Sequence, residues 1–241
     1  MSSSKLLEQL WHKSGSCPEG TIPIQRTRKR HLLGARSLAD ASAQLESAKL
    51  SFDKSLQGGE GVIDVWNPRV EVPSESTKGT MFVGRRDGFD LVSSGWLVSP
   101  SLFGDAATRL YAFWGVQGNG NWWLVVENKT LGYWPSSLFK SMAKNADYIQ
   151  WEGQIYNSVP GGKHTSTEMG SGLWPERGPR KAAYFRKCLY YDENISGKTP
   201  DYWYETKVSK PKCYGISDVF PSTGGGLAFY YGGPGGPDCD A

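Results

Sequence analysis

Histidine and cysteine are both scarce in this 241-residue chain, three and four respectively. Neither falls in the paired spacing, CxxC or His with His, that a metal or redox motif uses. No metal and no cofactor are therefore expected. An excess of one charge is lacking too. With 27 Lys and Arg against 24 Asp and Glu, the net charge of +3 is too small to imply a nucleic-acid partner. No apolar run approaches the roughly 18 residues that a membrane span needs, which excludes a helical membrane partner. A secretory h-region is also lacking at the start, where Leu6-Leu7 and Leu10-Trp11 are the only apolar pairs of residues 1–16. Taken literally, the chain stays in the cytosol as a monomer.

What is present is turn-former and aromatic residue. Aromatics make up 13%, with 30 Gly and 14 Pro, enough to bury a core and to describe one all-β domain with an appendage. Trp122-Trp123-Leu124-Val125-Val126 is a short aromatic and β-branched run, closed by Glu127-Asn128-Lys129. Ile149, Trp151, Gly153 and Ile155 alternate with Gln150, Glu152, Gln154 and Tyr156, the period of a strand with one buried face. Between them, Ser136-Ser137 offers an N-cap to Leu138, Phe139, Met142 and Ala143, spaced for about two turns of helix. Further short strands are expected at Val62–Asn67, Thr80–Val83, Val92–Val98, Arg109–Trp114, Ala182–Leu189 and Gly226–Tyr231, each bounded by turn residues. The expected fold class is all-β, an antiparallel sandwich with one short helix.

Two features argue against the cytosol. Asn128-Lys129-Thr130 and Asn194-Ile195-Ser196 are glycosylation sequons, and two cysteines sit in a loop-rich carboxyl-terminal region that suits an oxidising compartment. Cys188 reads as a buried structural thiol. His164, in the polar, glycine-rich stretch 162–172, reads as a surface loop residue with no second ligand or base at useful spacing. The stretch as a whole suits the mouth of a cleft. Trp96, Trp114, Trp122, Trp123, Trp134 and Trp151 are read first as core and second as aromatic faces for a ligand.

CPEGTIPIQR, VWNPRVE, SGWLVSPSLFGDAATRLYAFW, NWWL, LGYWPSSLF, HTSTEMGSGLWP, AAYFR and the terminal FYYGGPGGPDC run in order from Ser16 to Cys239. In these motifs the chain resembles the neprosin family, plant glutamic peptidases. The resemblance implies a secreted proprotein whose β-sandwich cuts peptide bonds next to proline. It divides the chain into a remnant of the activation peptide and a basic linker (1–36), a tether (37–60) and the neprosin-like sandwich (61–241). It also implies a disulfide between Cys213 and Cys239, no metal, and an upstream partner for Cys17 that this chain lacks.

The family's chemistry needs two glutamates, one ionised as general base on a water and one protonated as general acid. In the motif resembling I-E-A-G-W this chain has Val92-Ser93-Ser94-Gly95-Trp96, and in that resembling W-G-G-E it has Trp151-Glu152-Gly153-Gln154. Ser93 and Gln154 therefore stand at the positions of the acids. Glu152 shares the face of Gln154 but lies roughly 6.5 Å along the strand. Glu168 is a second displaced acid. Only residues 115–120 separate the strand ending at Trp114 from Asn121-Trp122-Trp123, where the family carries further strands, so part of the sandwich is expected to be absent. The implied function is a proline-directed glutamic endopeptidase homologue without activity. The alternative is a non-catalytic module that binds a proline-containing peptide or a glycan, and a third reading is an enzyme using Glu152 and Glu168.

Overall fold

The computed structural model describes residues 45–86, 90–115, 121–139, 141–142, 144–159, 164–201 and 203–240. Its strands are β1 (Leu45–Leu56), β2 (Gly58–Ile63), β3 (Ser76–Gly84), β4 (Leu91–Val98), β5 (Arg109–Gly115), β6 (Trp122–Val126) and β7 (Lys129–Trp134). They continue with β8 (Ala146–Tyr156), β9 (Ala183–Tyr191), β10 (Gly197–Lys198), β11 (Glu205–Val208), β12 (Gly215–Ile216), β13 (Phe220–Pro221) and β14 (Leu227–Gly232). Among the described residues one short helix, α1 (Pro100–Phe103), breaks the pattern, closed by Gly104 in the left-handed region.

The first sheet runs β11-β1-β8-β3-β4-β5 and the second β10-β9-β14-β12, with β13 on β14 and β2 on β9; β6 and β7 form a separate hairpin. Every pairing is antiparallel. The two large sheets face each other across a core of Phe52, Ile149, Trp151, Ile155, Phe185, Phe229 and Tyr231, all at most 2% exposed. Packing is close because glycines open the first sheet where the second sheet's largest ring enters. A Cβ at Gly153 would meet the Tyr231 ring at 2.4 Å, and one at Gly79 would meet the Tyr231 hydroxyl at 2.5 Å. The indole N–H groups of this core are satisfied across the layer: Trp151 Nε1 donates to the Glu60 carbonyl (3.0 Å) and Trp96 Nε1 to that of Asp64 (2.9 Å).

Three expectations need correction. The tether does not hold for residues 45–60, because β1 lies inside the first sheet, paired with β11 on one side and β8 on the other. Its small residues Ser47, Ala48 and Ser51 mask a period of two, in which Ala48, Leu50 and Phe52 are buried. The strand expected from Val62 to Asn67 ends instead at Ile63. There the Asp64 side chain leaves the ladder to accept the Tyr184 N–H (2.9 Å) and Trp66 Nε1 (2.6 Å). The helix expected over 136–143 is a single 3-10 turn at Ser136–Leu138. Phe139 and Met142 are fully buried all the same, and Asp90 Oδ2 accepts the Ser141 and Met142 N–H groups that a helix would have bonded internally. The activation-peptide remnant, the basic linker and Cys17 lie outside the described residues.

Candidate functional site

β8 turns Ile149, Trp151, Gly153 and Ile155 inward, so Tyr148, Gln150, Glu152, Gln154 and Tyr156 fall on the outer face of the first sheet. Register fixes their neighbours. Glu152 stands opposite Lys49 of β1 on one side and Thr80 of β3 on the other; Thr80 is opposite Gly95 of β4, and Gly95 opposite Tyr111 of β5. With no side chain at Gly95, the Tyr111 phenol reaches over it to donate to Thr80 Oγ1 (2.6 Å). The Thr80 hydroxyl donates in turn to the Ser94 carbonyl (3.2 Å).

Glu152 is the centre of this row, 1% exposed. Gln150 Nε2 donates to one carboxylate oxygen (2.7 Å) and Gln154 Nε2 to the other (2.8 Å), since side chains two apart on a strand share a face. Lys49 Nζ donates to Gln150 Oε1 (3.1 Å), while the Lys78 ammonium lies over the Phe82 and Tyr111 rings. Burial raises the Glu152 carboxyl to about 7, against the opposing pull of Lys78, Lys49 and the Gln150 amide. The result is one carboxyl that changes charge near neutrality, held by two amides and flanked by two ammonium groups.

Ser93 and Gln154 also lie on this outer face, but β3 separates their strands. Ser93 is level with Phe82 and Gln150, whereas Gln154 is level with Lys78 and Leu97. At about 4.8 Å per strand and 3.3 Å per residue, the offset of two strands and four residues puts their Cα atoms roughly 16 Å apart. Ser93 is 3% exposed, and its hydroxyl finds no hydrogen-bond partner among the described residues. Glu168 does not join Glu152. It accepts the Arg69 N–H (2.9 Å), and the next residue, Met169, packs at the inward side of Gly153, the opposite side of the sheet.

The sequence missed Lys49, Lys78, Thr80 and Tyr111. Lys49 was lost in the tether, although the alternation of Ala48, Leu50 and Phe52 with Ser47, Lys49 and Ser51 carried the signal. His164 is corrected from a surface residue to a buried one: its side chain is fully enclosed and its Nε2 lies 2.9 Å from Glu46 Oε2. Glu46 Oε1 accepts Asn157 Nδ2 (3.1 Å), so β1 and the end of β8 supply the polar pocket that lets the ring enter. One ring nitrogen of His164 and the sulfurs of Cys213 and Cys239 lie within 4.8 Å of one another. Among the described residues these are the three that could hold a soft cation, and the two sulfurs are also near enough for the expected disulfide to be tested. Cys188 is fully buried, and burial pushes its thiol well above the usual range.

The tryptophans do not form one cleft. Trp96, Trp134 and Trp151 are at most 3% exposed and belong to the interior, while Trp123 on the β6–β7 hairpin is 57% exposed beside Tyr133, ring centroids 4.8 Å apart. Asn128 and Asn194 are exposed, in the β6–β7 turn and in the turn after β9.

An antiparallel β-sandwich with a carboxyl at the centre of one sheet's open face is the class of protein that this geometry defines. Residues 115–234 match the family model for Neprosin, and the chain belongs to the neprosin family. The match begins at the last residue of β5.

Proposed function

We propose that this protein holds an extended, proline-containing peptide against the outer face of the first sheet and does not cut it. The observation that carries this reading is the state of the two positions where the family's acids are expected. Ser93 and Gln154 offer a hydroxyl and an amide, and the Gln154 amide is itself engaged by Glu152. Two carboxyls held at different pKa values are what acid–base hydrolysis of a peptide needs, and one cannot serve as both. A second reading, hydrolysis through Glu152, is favoured by its carboxyl titrating at about 7. A glycan ligand finds less support, since Trp96, Trp134 and Trp151 are interior. The same proposal carries the family's secreted setting, with glycans on Asn128 and Asn194, a Cys213–Cys239 disulfide and a monomeric state.

Calorimetric titration with acetylated, amidated proline-rich peptides, with mass spectrometry of the mixtures between pH 3 and 8, tests it. Binding with intact peptide is expected throughout. Cleavage by the purified protein that is lost in Glu152→Gln would replace the binding reading with the enzymatic one, and absence of binding would remove both.

A further inference from the structure

The outer face of the first sheet carries its cations close to its centre. Lys49 is directly opposite Glu152 on β1, Lys207 of β11 stands opposite Lys49, and Lys78 of β3 is opposite Gln154. The anions of the same face are placed elsewhere or already held. Asp53 is bound by Arg86 (2.6 Å), and Glu205 is level with Ser51 at the edge strand. Arg109, at the opposite edge, is held by Asp105 (2.7 Å). Among the described residues the carboxyl that feels both Lys49 and Lys78 is Glu152, whose two oxygens accept amide hydrogens from Gln150 and Gln154. Lys49 makes its hydrogen bond to an amide oxygen, and Lys78 lies over two aromatic rings.

We propose that Lys49 and Lys78 form an anion-recognition pair that receives the side-chain carboxylate of an acidic residue in a bound extended peptide. This inference rests on the peptide-binding reading above and names the ligand class of the same site. Two half-exposed ammonium groups on neighbouring sides of one strand can each donate to one oxygen of a carboxylate, and charge-assisted bonds of this kind are stronger than the neutral ones an amide would make.

Glu152 competes with such a ligand for the same cations. The groups that face it are Lys49 from β1, Lys78, Thr80 and the Phe82 ring from β3, and Tyr111 from β5, with Gln150 and Gln154 on its own strand and Lys207 and Glu205 beyond β1. Ionised, Glu152 attracts both ammonium groups. Protonated, it leaves them to the ligand and turns a carboxylic O–H toward any acceptor beside it. Recognition of the acidic peptide therefore strengthens as pH falls through the titration of Glu152, as long as the ligand's own carboxyl stays ionised.

The test compares two acetylated, amidated peptides, Ala-Pro-Glu-Pro-Ala and Ala-Pro-Gln-Pro-Ala, and a third with Gln and a free carboxyl terminus, titrated into the full chain at pH 5.5 and 8. The Glu peptide is expected to bind about tenfold tighter than the Gln peptide at pH 5.5, a preference of the size one charge-assisted contact supplies. The preference should shrink at pH 8, disappear in Lys49→Gln and Lys78→Gln, and survive in Lys78→Arg, which separates loss of charge from loss of fold. Equal binding of the Glu and Gln peptides would overturn this inference and leave the peptide-binding reading standing. Tight binding of the free-carboxylate peptide alone would overturn the side-chain assignment in favour of a chain terminus. No binding of any peptide would overturn both.

Discussion

Replacing Glu152 with glutamine tests the central carboxyl through stability rather than activity. In the folded chain this carboxyl titrates at about 7, and its ordinary value is 4.5. Because the folded state holds the proton more tightly than the unfolded state does, ionisation penalises folding. The stability is at its fullest below 4.5, falls as pH rises from 4.5 to 7, and is flat above. A shift of that size corresponds to about 3 kcal/mol at pH 8, taking 1.36 kcal/mol per unit. Glu152→Gln does not titrate, so its stability should lack this fall. The substitution also turns one accepting oxygen into a donor facing Gln150 or Gln154, a mismatch that costs about 1 kcal/mol at every pH. The variant should therefore be slightly less stable than the parent at pH 4 and more stable by about 2 kcal/mol at pH 8. Urea unfolding at half-unit steps from pH 4 to 8 reads this directly, and parallel curves for the two proteins would refute the assignment of a buried, proton-holding carboxyl.

Gln154→Glu removes an amide donor to Glu152 and sets a second carboxyl beside it, so the variant should lose roughly 2 to 3 kcal/mol at pH 8 and recover most of it at pH 4, where the pair can share a proton; the same urea series checks it. Gly153→Ala pushes a Cβ to within 2.4 Å of the Tyr231 ring and 2.9 Å of Met169, so unfolding should come about 2 kcal/mol earlier, with no dependence on pH. His164→Ala removes the partner 2.9 Å from the buried Glu46 carboxylate, and a loss of about 3 kcal/mol is expected in chemical denaturation. Non-reducing digestion of the purified protein should yield one peptide joined through Cys213 and Cys239, and Cys239→Ser should cost about 3 kcal/mol by the chain-entropy argument. Recovery of two free thiols with bound zinc would replace the disulfide with a Cys2His cation site.

The sequence carried the fold well where period and punctuation agreed. In β8 the alternation of Ile149, Trp151 and Ile155 with Gln150, Glu152 and Gln154 is the sheet's own pleat, and the ends of β3, β4 and β14 are set by turn residues within reach of local reasoning. It carried β1 poorly because Ser47, Ala48 and Ser51 blur the contrast between faces, and the pairing that makes 45–56 a strand comes from β8 and β11, a hundred and more residues away. His164 was misread for a related reason. What buries it is Glu46, on that same unrecognised strand. The local pattern after Ser136 was helical, but the buried carboxylate of Asp90 took the backbone donors of Ser141 and Met142 and left only one turn.

The acid of Trp151-Glu152-Gly153-Gln154 is in the sequence, but its consequence is not. Moving a carboxyl by two residues along a strand keeps it on the same face and changes its cross-strand row. At Gln154 the row is Ser47, Lys78, Leu97 and Arg109; at Glu152 it is Lys49, Thr80, Gly95 and Tyr111. The first row sets Ser47 on one side of Gln154 and Lys78 on the other. The second is a closed centre, where a hydroxyl chain from Tyr111 to Thr80 ends on the Ser94 carbonyl. A carboxyl at Glu152 is therefore desolvated enough to keep its proton until near neutrality, and Gln154 supplies one of the two amides that hold it. Among the carboxyls of this face, Glu152 is the one set between Gln150 and Gln154, with Lys49 directly opposite. Position along β8, more than the identity of either residue, decides what this sheet can bind.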